Sequence, residues 1–428
     1  MRKKQILFGA GDVAHELLGY IQGIPRASDE FFECVIDNDF GKHGTQIRGL
    51  TIFPPEHLLN YDKGNVEIIL SVWKGEAPYV QIITQLEKMG FSLNENIFAV
   101  NDLPRRNFER AFKLVTPIIK RGYPNANIFC CTDWDGTRFF TYYDSQFSYA
   151  QTRNYQYDIL NRLNDEGVSV LKPAKIIRTP FPVYLYEWID GCDLSDIIKI
   201  SAPNEQFEFG VKIGKIMRDI NSITADDYEP LPDYMKWPLD DHYYEHKRKA
   251  FAATGSSKHL TLSCHKLMDY VENNEHLVQA DASVFLHSDF NPGNAMCDKN
   301  SNVIVIDLCN SPFGSVFIDI GMFIVGGYIR PVFAIFSMGV LRGYFDDSGI
   351  YNEYKLRELM TIIIYYAIRR CLCYFFMSLY LTPLRLDYVD LWQKCIECVE
   401  KDFGDSQNTM PSWYSSETID TLSREKAL

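Results

Sequence analysis

The 428-residue sequence predicts two successive architectures: an α/β domain built on a parallel sheet, then an α+β region in which antiparallel strands give way to a long helical half. Three observations predict this. Apolar runs of strand length alternate with helix-period stretches over the first hundred residues. From about residue 113, short β-rich runs are separated by turn chemistry. After Gly191 the pattern is mostly helical.

In chain order, residues 5–8 read as a strand, 13–21 as a helix, 32–36 and 66–72 as strands, and 79–89 as a helix. That alternation places crossover helices between parallel strands. Residues 101–107 carry Pro104 and two arginines without periodicity and read as a linker, with a boundary near residue 105. Strand-like runs follow at 113–119, 126–132 and 138–143. They are divided by Gly122-Tyr123-Pro124-Asn125 and Asp133-Trp134-Asp135-Gly136, where Gly supplies positive φ and Asp or Asn bonds its own backbone. A helix over 149–163 and strands at 174–177 and 183–188 complete this part. The expected division is 1–105, 113–191 and 192–428, and a loop with strands between Val284 and Asp307 interrupts the last segment.

Forty-three Lys and Arg against 56 Asp and Glu give a net charge of −13, which does not supply the clustered cations that nucleic acids or anionic membrane surfaces require. No nucleic-acid partner is expected. Gly9 and Asp12 arrive too soon for a signal-peptide core. Residues 316–341, the most apolar region, contain Asp319, Arg330 and Pro331, a poor composition for a spanning helix. No membrane span and a cytoplasmic location are expected. Eleven scattered cysteines fit reduced thiols. Cys395 and Cys398 form a CxxC, with Cys371 and Cys373 earlier, but zinc ligand pairs are presented from turns and these lie in helical, apolar-periodic stretches. Packed core thiols are expected instead.

Phe8-Gly9-Ala10-Gly11-Asp12-Val13-Ala14 is a G-x-G-x-x-A that follows a strand and opens a helix, and Asp37 ends the second strand. Two readings stand side by side. Gly9 and Gly11 would let an anion approach the helix N-terminus, with Asp37 on a ribose hydroxyl, or they allow close packing of strand on helix. The segment resembles the small Rossmann-like domains attached to bacterial sugar-modifying enzymes, which implies a bound nucleotide or nucleotide-sugar.

A sharper constellation is His287-Ser288-Asp289-Phe290-Asn291-Pro292-Gly293-Asn294, followed by Val303-Ile304-Val305-Ile306-Asp307. An Asp, an Asn five residues on, and a second Asp ending a strand suit phosphoryl transfer: Asp289 orients the attacking hydroxyl, and Asn294 and Asp307 offer hard oxygens to Mg²⁺. At these residues the sequence resembles the aminoglycoside phosphotransferase and choline kinase superfamily, over roughly residues 113–400. His287, Asp289 and Asn294 match its His-x-Asp-x-x-x-x-Asn motif, Asp307 its metal-binding Asp, and Asp319 a further family Asp. Residues 183–191 are similar to its interlobe hinge. The resemblance implies a kinase-like fold, with ATP as the nucleotide, Mg²⁺ as cofactor, and adenine held by the backbone of Glu187 and Ile189. It also implies that His287 braces the loop.

The sequence departs from the family at the nucleotide-positioning ion pair. Tyr142 stands where the third strand usually carries Lys, and the helix over 149–163 contains no Glu, leaving Gln156 or a neighbour in the partner's place. Lys120, Arg121 and Gly122 lie in the turn corresponding to the family's phosphate-covering loop, where the two cations would supply charge from the other side.

The expected function is phosphoryl transfer to a hydroxyl of a small molecule: a choline-like amino alcohol, an aminoglycoside or a sugar, with surface-glycan biosynthesis as the setting that the two resemblances together imply. Tyr243, Tyr244, Tyr374 and Trp392 are among many aromatics that would suit a cationic or sugar acceptor, although Tyr365, Tyr366 and the run from Cys373 to Phe376 have core-like spacing. The rival is a pseudokinase, a nucleotide-sensing or scaffolding module signalled by the missing Lys and Glu. Catalysis by the N-terminal domain ranks last, since no catalytic group announces itself there. The sequence carries no signal of oligomeric state.

Overall fold

The computed structural model describes all residues except 1–2, 23–31, 73–76, 100–111, 119–127, 143–147, 178–182, 229–238, 255–259, 278–283, 309–311, 330, 348, 382–385, 405–409 and 426–428. The expected linker at 101–107, the boundary near 105 and the turn holding Lys120, Arg121 and Gly122 lie outside the described residues. The chain divides into two compact units, residues 1–157 with 172–188, and residues 158–171 with 189–428.

The first unit opens with β1 (Lys4–Phe8), α1 (Asp12–Gln22), β2 (Cys34–Ile36), β3 (Gln46–Ile47), β4 (Leu50–Phe53), β5 (Val66–Leu70), α2 (Ala77–Lys88) and β6 (Ile97–Ala99). They form a six-stranded mixed sheet in the order β3-β4-β2-β1-β5-β6. All neighbours are parallel except β3 and β4. Every residue of β5 is buried, as a central parallel strand covered on both faces requires. One face packs Leu7, Val35 and Ile69 with Ala14 and Leu17 of α1, and the other packs Ile6, Phe8 and Ile68 with Ile82 and Leu86 of α2.

The same unit carries β7 (Leu114–Pro117), β8 (Ile128–Thr132), β9 (Arg138–Tyr142), β10 (Pro173–Ile177) and β11 (Val183–Glu187), and α3 (Ser148–Asp165) begins in it. The strands make an antiparallel sheet in the order β10-β11-β9-β8-β7. One face buries Cys131, Phe139, Val183 and Leu185. On the other, Tyr157 of α3 packs on Tyr184 and Tyr186, with ring centroids 5.5 and 5.8 Å away, and Phe140 lies 6.5 Å from Tyr186.

The second unit contains β12 (Gly191–Asp193), α4 (Leu194–Ile200), α5 (Pro203–Ile220), α6 (Leu239–Thr254), α7 (Leu262–Asn273), β13 (Val284–Phe285), β14 (Ala295–Asp298), β15 (Val303–Val305), β16 (Phe313–Gly314), α8 (Phe317–Ile329), α9 (Ala334–Tyr344), β17 (Asp346–Asp347), β18 (Ile350–Tyr351), α10 (Glu353–Leu381), α11 (Leu386–Phe403) and α12 (Ser416–Glu425). Asp193 caps α4 by accepting from the Ser195 amide at 3.0 Å. Helices α5 and α9 meet backbone to backbone through glycines. A Cβ on Gly210 or Gly214 would lie 2.1 Å from the Phe336 or Val340 carbonyl oxygen, and one on Gly339 would lie 2.2 Å from that of Phe207.

Helix α10 is long and apolar enough to cross a membrane by length and composition, and 72% of its apolar stretch is buried within the protein. It packs against α6, α7, α8 and α11. Cys371 of α10 and Cys395 of α11 meet at 3.6 Å and are buried, as is Cys373, whereas Cys398 is exposed. Among the described residues no cluster of three or more His, Cys, Asp or Glu side chains is placed to hold a metal.

Candidate active site

The site is built around the segment leaving β13. Strand β13 pairs with β16, and the next residue, Leu286, donates its amide to Pro312 O at 2.9 Å, which fixes the entry of the chain. His287 and Ser288 then turn inward. Their amides both donate to the carboxylate of Asp319 in the first turn of α8, at 2.9 and 2.8 Å. Asn221, at the end of α5, donates its side-chain amide to Asp319 at 3.1 Å and to Phe285 O at 2.8 Å, and it accepts from the Tyr344 hydroxyl at 3.0 Å. Asp319 is fully buried. Burial pushes its carboxyl up from the ordinary carboxylate value, while His287 and the three N–H donors pull it down.

Ser288 is buried with φ of +64°, in the left-handed region that a side chain rarely adopts. The conformation persists because the segment is held on both sides: Asp319 accepts its amide, and Arg370 of α10 donates to its carbonyl. The turn swings Asp289 outward, where it is exposed. His287 stays buried, and its Nε2 contacts Ile306 O at 3.0 Å; a carbonyl only accepts, so Nε2 carries the proton. The ring also meets Phe290 edge-on at 5.3 Å. His287 therefore links the loop to the end of β15.

Asn291 closes the next turn, accepting from the Gly293 amide with its side chain at 2.9 Å and from the Asn294 amide with its carbonyl at 2.8 Å. Asn294 is buried, and its Nδ2 donates to Asp289 O at 2.8 Å. Its own carbonyl accepts from Ile306 N at 2.9 Å, one residue before Asp307. The β14–β15 hairpin, with Ala295 opposite Val305, thus brings Asn294 and Asp307 to its open end. Asp307 has φ of +67°, a second left-handed residue at the same end. Asp298 fastens the far turn by accepting from the amides of Asn300 and Asn302, each at 2.8 Å, and from the Asn302 side chain at 3.0 Å.

Three groups absent from the sequence reading of this loop come from α10 and α11. The Tyr374 hydroxyl donates to Asp289 Oδ1, Arg370 donates to Tyr374 at 3.1 Å, and the Tyr374 ring stacks on Trp392 with centroids 4.8 Å apart. Core-like spacing holds for Phe375 and Phe376, which are buried, but Tyr374 is only half-buried. The sequence names Tyr374 and Trp392 among aromatics suited to an acceptor without joining them to Asp289, and it marks Arg370 only as one of two adjacent arginines in the apolar second half of its helix.

The other sequence candidates lie apart from this loop in the chain. Glu187 ends β11; its amide donates to Lys172 O at 2.9 Å, and Ile189 is the first residue of the second unit after the crossing. Gln156 is buried on α3, beside Tyr157 and its aromatic contacts. Gly9 has φ of +106° and donates to Ile36 O, whereas a Cβ on Gly11 would meet nothing within 4 Å. The Asp37 carboxylate accepts from the Ala10 amide at 2.6 Å and from the Asp39 amide at 2.7 Å, with Lys42 Nζ at 3.4 Å. Asp37 thereby ties the glycine turn to the end of β2.

The sequence profile of the phosphotransferase enzyme family matches residues 117–359. No curated protein matches the sequence. Among solved structures, the chain is similar to a thermostable mutant of an aminoglycoside phosphotransferase in its apo form, 15% identical, covering 70% of this chain and 99% of that one, with a TM-score of 0.50. It is also similar to a spectinomycin phosphotransferase in complex with ADP and spectinomycin, at 15% identity, 73% and 97% coverage and a TM-score of 0.47. A choline kinase from Streptococcus pneumoniae gives 11%, 70% and 98%, and 0.47. The first likeness shows the kinase-like fold of the aminoglycoside phosphotransferases.

Proposed function

The chain belongs to the phosphotransferase enzyme family, and from that premise we propose that it transfers the γ-phosphoryl group of ATP to a hydroxyl of a small molecule. The observation that carries this reading is a pair of hydrogen bonds made by Asn294: its Nδ2 donates to Asp289 O, and its carbonyl accepts from the amide of Ile306, the residue before Asp307. These bonds support a reading in which Asp289 is the base and Asn294 and Asp307 are oxygen ligands. Asp289 orients the acceptor hydroxyl and takes its proton as the acceptor oxygen bonds to the γ-phosphorus and the bond to the β,γ-bridging oxygen breaks. His287 braces the loop through Ile306.

Asn294 and Asp307 fit Mg²⁺, since both offer hard oxygens and a cation with few protein ligands takes the rest from phosphates and water. When bound, Mg²⁺ would neutralise charge on the transferring group. At the hinge, the backbone of Glu187 and Ile189 would hold adenine, with the Glu187 amide itself engaged by Lys172 O. Lys120, Arg121 and Gly122 would cover the phosphates.

The division into 1–105, 113–191 and 192–428 belongs to the same reading, with the first domain Rossmann-like and holding a nucleotide or nucleotide-sugar at Gly9, Gly11 and Asp37. The solved relatives include a spectinomycin phosphotransferase and a choline kinase, and a choline-like amino alcohol, an aminoglycoside or a sugar is the acceptor class proposed here. Decoration of a surface glycan in the cytoplasm would unite the two halves. The pseudokinase alternative draws on the absence of a Lys at position 142 and on the aromatic packing at Tyr157.

The test is ADP formation from ATP with Mg²⁺ across choline, ethanolamine, aminoglycosides and simple sugars, with Asp289→Asn as control. Turnover with one acceptor that is lost in the variant, while nucleotide binding persists, is the expected result. Nucleotide binding without turnover favours the pseudokinase, and full activity of Asp289→Asn sinks the assignment.

A further inference from the structure

Resting on the assignment of Asp289 as the base, we propose that Tyr374 is the positioning residue of the transfer: its phenol anchors Oδ1 of Asp289 so that Oδ2 meets the acceptor hydroxyl. Asp289 stands exposed at the tip of its loop, where a carboxylate is otherwise able to visit several rotamers. The Tyr374 hydroxyl donates to Oδ1, and an ionised carboxylate is acceptor only, so the direction of this bond is fixed.

The phenol is itself immobilised. Its ring lies on Trp392 with planes 14° apart and centroids separated by 4.8 Å, and Trp392 is 4% exposed. The Arg370 guanidinium lies 4.8 Å from the Tyr374 ring centroid, and its Nη2 donates to the Tyr374 oxygen at 3.1 Å. The same Nη2 donates to Ser288 O. One guanidinium thus ties the phenol to the backbone of the residue preceding the base. Arg370 and Tyr374 are four residues apart on α10, which puts them on one helical face.

A packing role against Trp392 would be met equally by Phe, which fills the same space; the hydroxyl is what Tyr adds, and it is directed at an exposed carboxylate whose charge water would already solvate. The anchor therefore contributes orientation to the reacting group. During transfer the acceptor proton passes to Oδ2, the acceptor oxygen bonds to the γ-phosphorus, the bond to the bridging oxygen breaks, and ADP leaves. The Tyr374 O–H remains bonded to Oδ1 and neither gains nor loses a proton.

The test compares the unaltered full-length chain with Asp289→Asn, Tyr374→Phe and Tyr374→Ala, measuring ADP formation from MgATP with water as acceptor and then with the acceptor panel, alongside nucleotide affinity and thermal midpoint. Tyr374→Phe should keep the melting temperature, the nucleotide affinity and the KM for ATP. Its kcat should fall on the order of tenfold, the size expected for losing a charge-assisted hydrogen bond. Tyr374→Ala should lose at least as much and also lower the midpoint. Unchanged kcat in Tyr374→Phe, or a loss of rate accompanied by a lower midpoint in that variant, would overturn the positioning role alone. No turnover in the unaltered chain, or turnover indifferent to Asp289→Asn, overturns the base assignment and this inference together.

Discussion

Asp319 holds Ser288 from thirty-one residues away: its buried carboxylate accepts the Ser288 amide at 2.8 Å while that residue sits at φ of +64°. The start of α8 therefore sets the direction in which the next residue, Asp289, leaves the core. Asp319→Ala leaves the amides of His287 and Ser288 without this acceptor in a buried site, at a cost of about 3 kcal/mol. A urea unfolding midpoint measured for the second unit should fall accordingly, with activity lost even where the variant stays folded.

The α5–α9 contact separates two opposing effects. Ala is preferred over Gly in a helix by about 1 kcal/mol, so Gly214→Ala and Gly339→Ala would be stabilising if the helices stood apart. The added methyl would lie 2.1 to 2.2 Å from carbonyl oxygens of the facing backbone, and such overpacking costs about 1–3 kcal/mol or more. Both variants should be less stable by thermal unfolding; a raised midpoint in either would refute the close approach.

The two glycines of the N-terminal turn should behave differently. Gly9→Ala forces a side chain to φ of +106° and puts its Cβ 2.6 Å from Ser71 Oγ, and should destabilise the mixed sheet by about 1–3 kcal/mol. Gly11→Ala meets open space and should leave stability within about 0.5 kcal/mol. Calorimetry on the two variants checks this, and a change in nucleotide affinity confined to Gly11→Ala would show that this glycine serves a ligand.

The turn fastened by Asp298 should respond to acid. The Asn302 side chain and then the backbone amides of Asn302 and Asn300 hold the Asp298 carboxyl below its ordinary value. A carboxyl with a lowered folded pKa contributes stability that is complete above the unfolded value and is lost as pH falls through the folded one. The Asn302 side-chain amide resonance should therefore titrate below ~3.9, the ordinary aspartate value. A midpoint at or above that value would mean the turn is not held by this carboxylate.

Cysteine reactivity should follow burial. Desolvation pushes the Cys373 thiol up to about 11, and for Cys371 a hydrogen bond to Cys395, together with burial, raises the thiol well above the ordinary range. The reactive thiolate is scarce there at neutral pH. Maleimide labelling read by mass spectrometry should find exposed Cys192 and Cys398 modified first, with Cys371, Cys373 and Cys395 protected until the chain unfolds.

Period and turn chemistry made much of the architecture legible. The runs at 5–8 and 66–72 became β1 and β5, and the helical stretch at 149–163 became α3, because buried strands and amphipathic helices write their periods plainly. The β3–β4 hairpin escaped notice. Its turn is Arg48-Gly49, with both φ values positive at 49° and 84°, and Arg there lacks the Asn or Asp that normally advertises such a turn. Strand β6 is only three residues long. At the loop, Asp289, Asn294 and Asp307 stand out as candidates by spacing because they lie close together in the chain, before and after one hairpin. The bond from Tyr374 to Asp289 and that from Arg370 to Ser288 are not legible there, since they join residues 85 and 82 positions apart and the apolar run around them spells a core.

The three crossings between the compact units, after residues 157, 171 and 188, make neither unit a continuous stretch of chain. The short piece in the second unit matters to the hairpin, because Leu171 N donates to Val305 O and Val305 N donates to Ser169 O, at 2.8 and 3.0 Å. A fragment expressed from residue 189 onward would present β15 with a bare edge two residues before Asp307. The protein cannot be shortened to its helical half without taking away part of what holds a metal-ligand candidate in place, and gene fusions or domain swaps that cut at the hinge would inherit that defect.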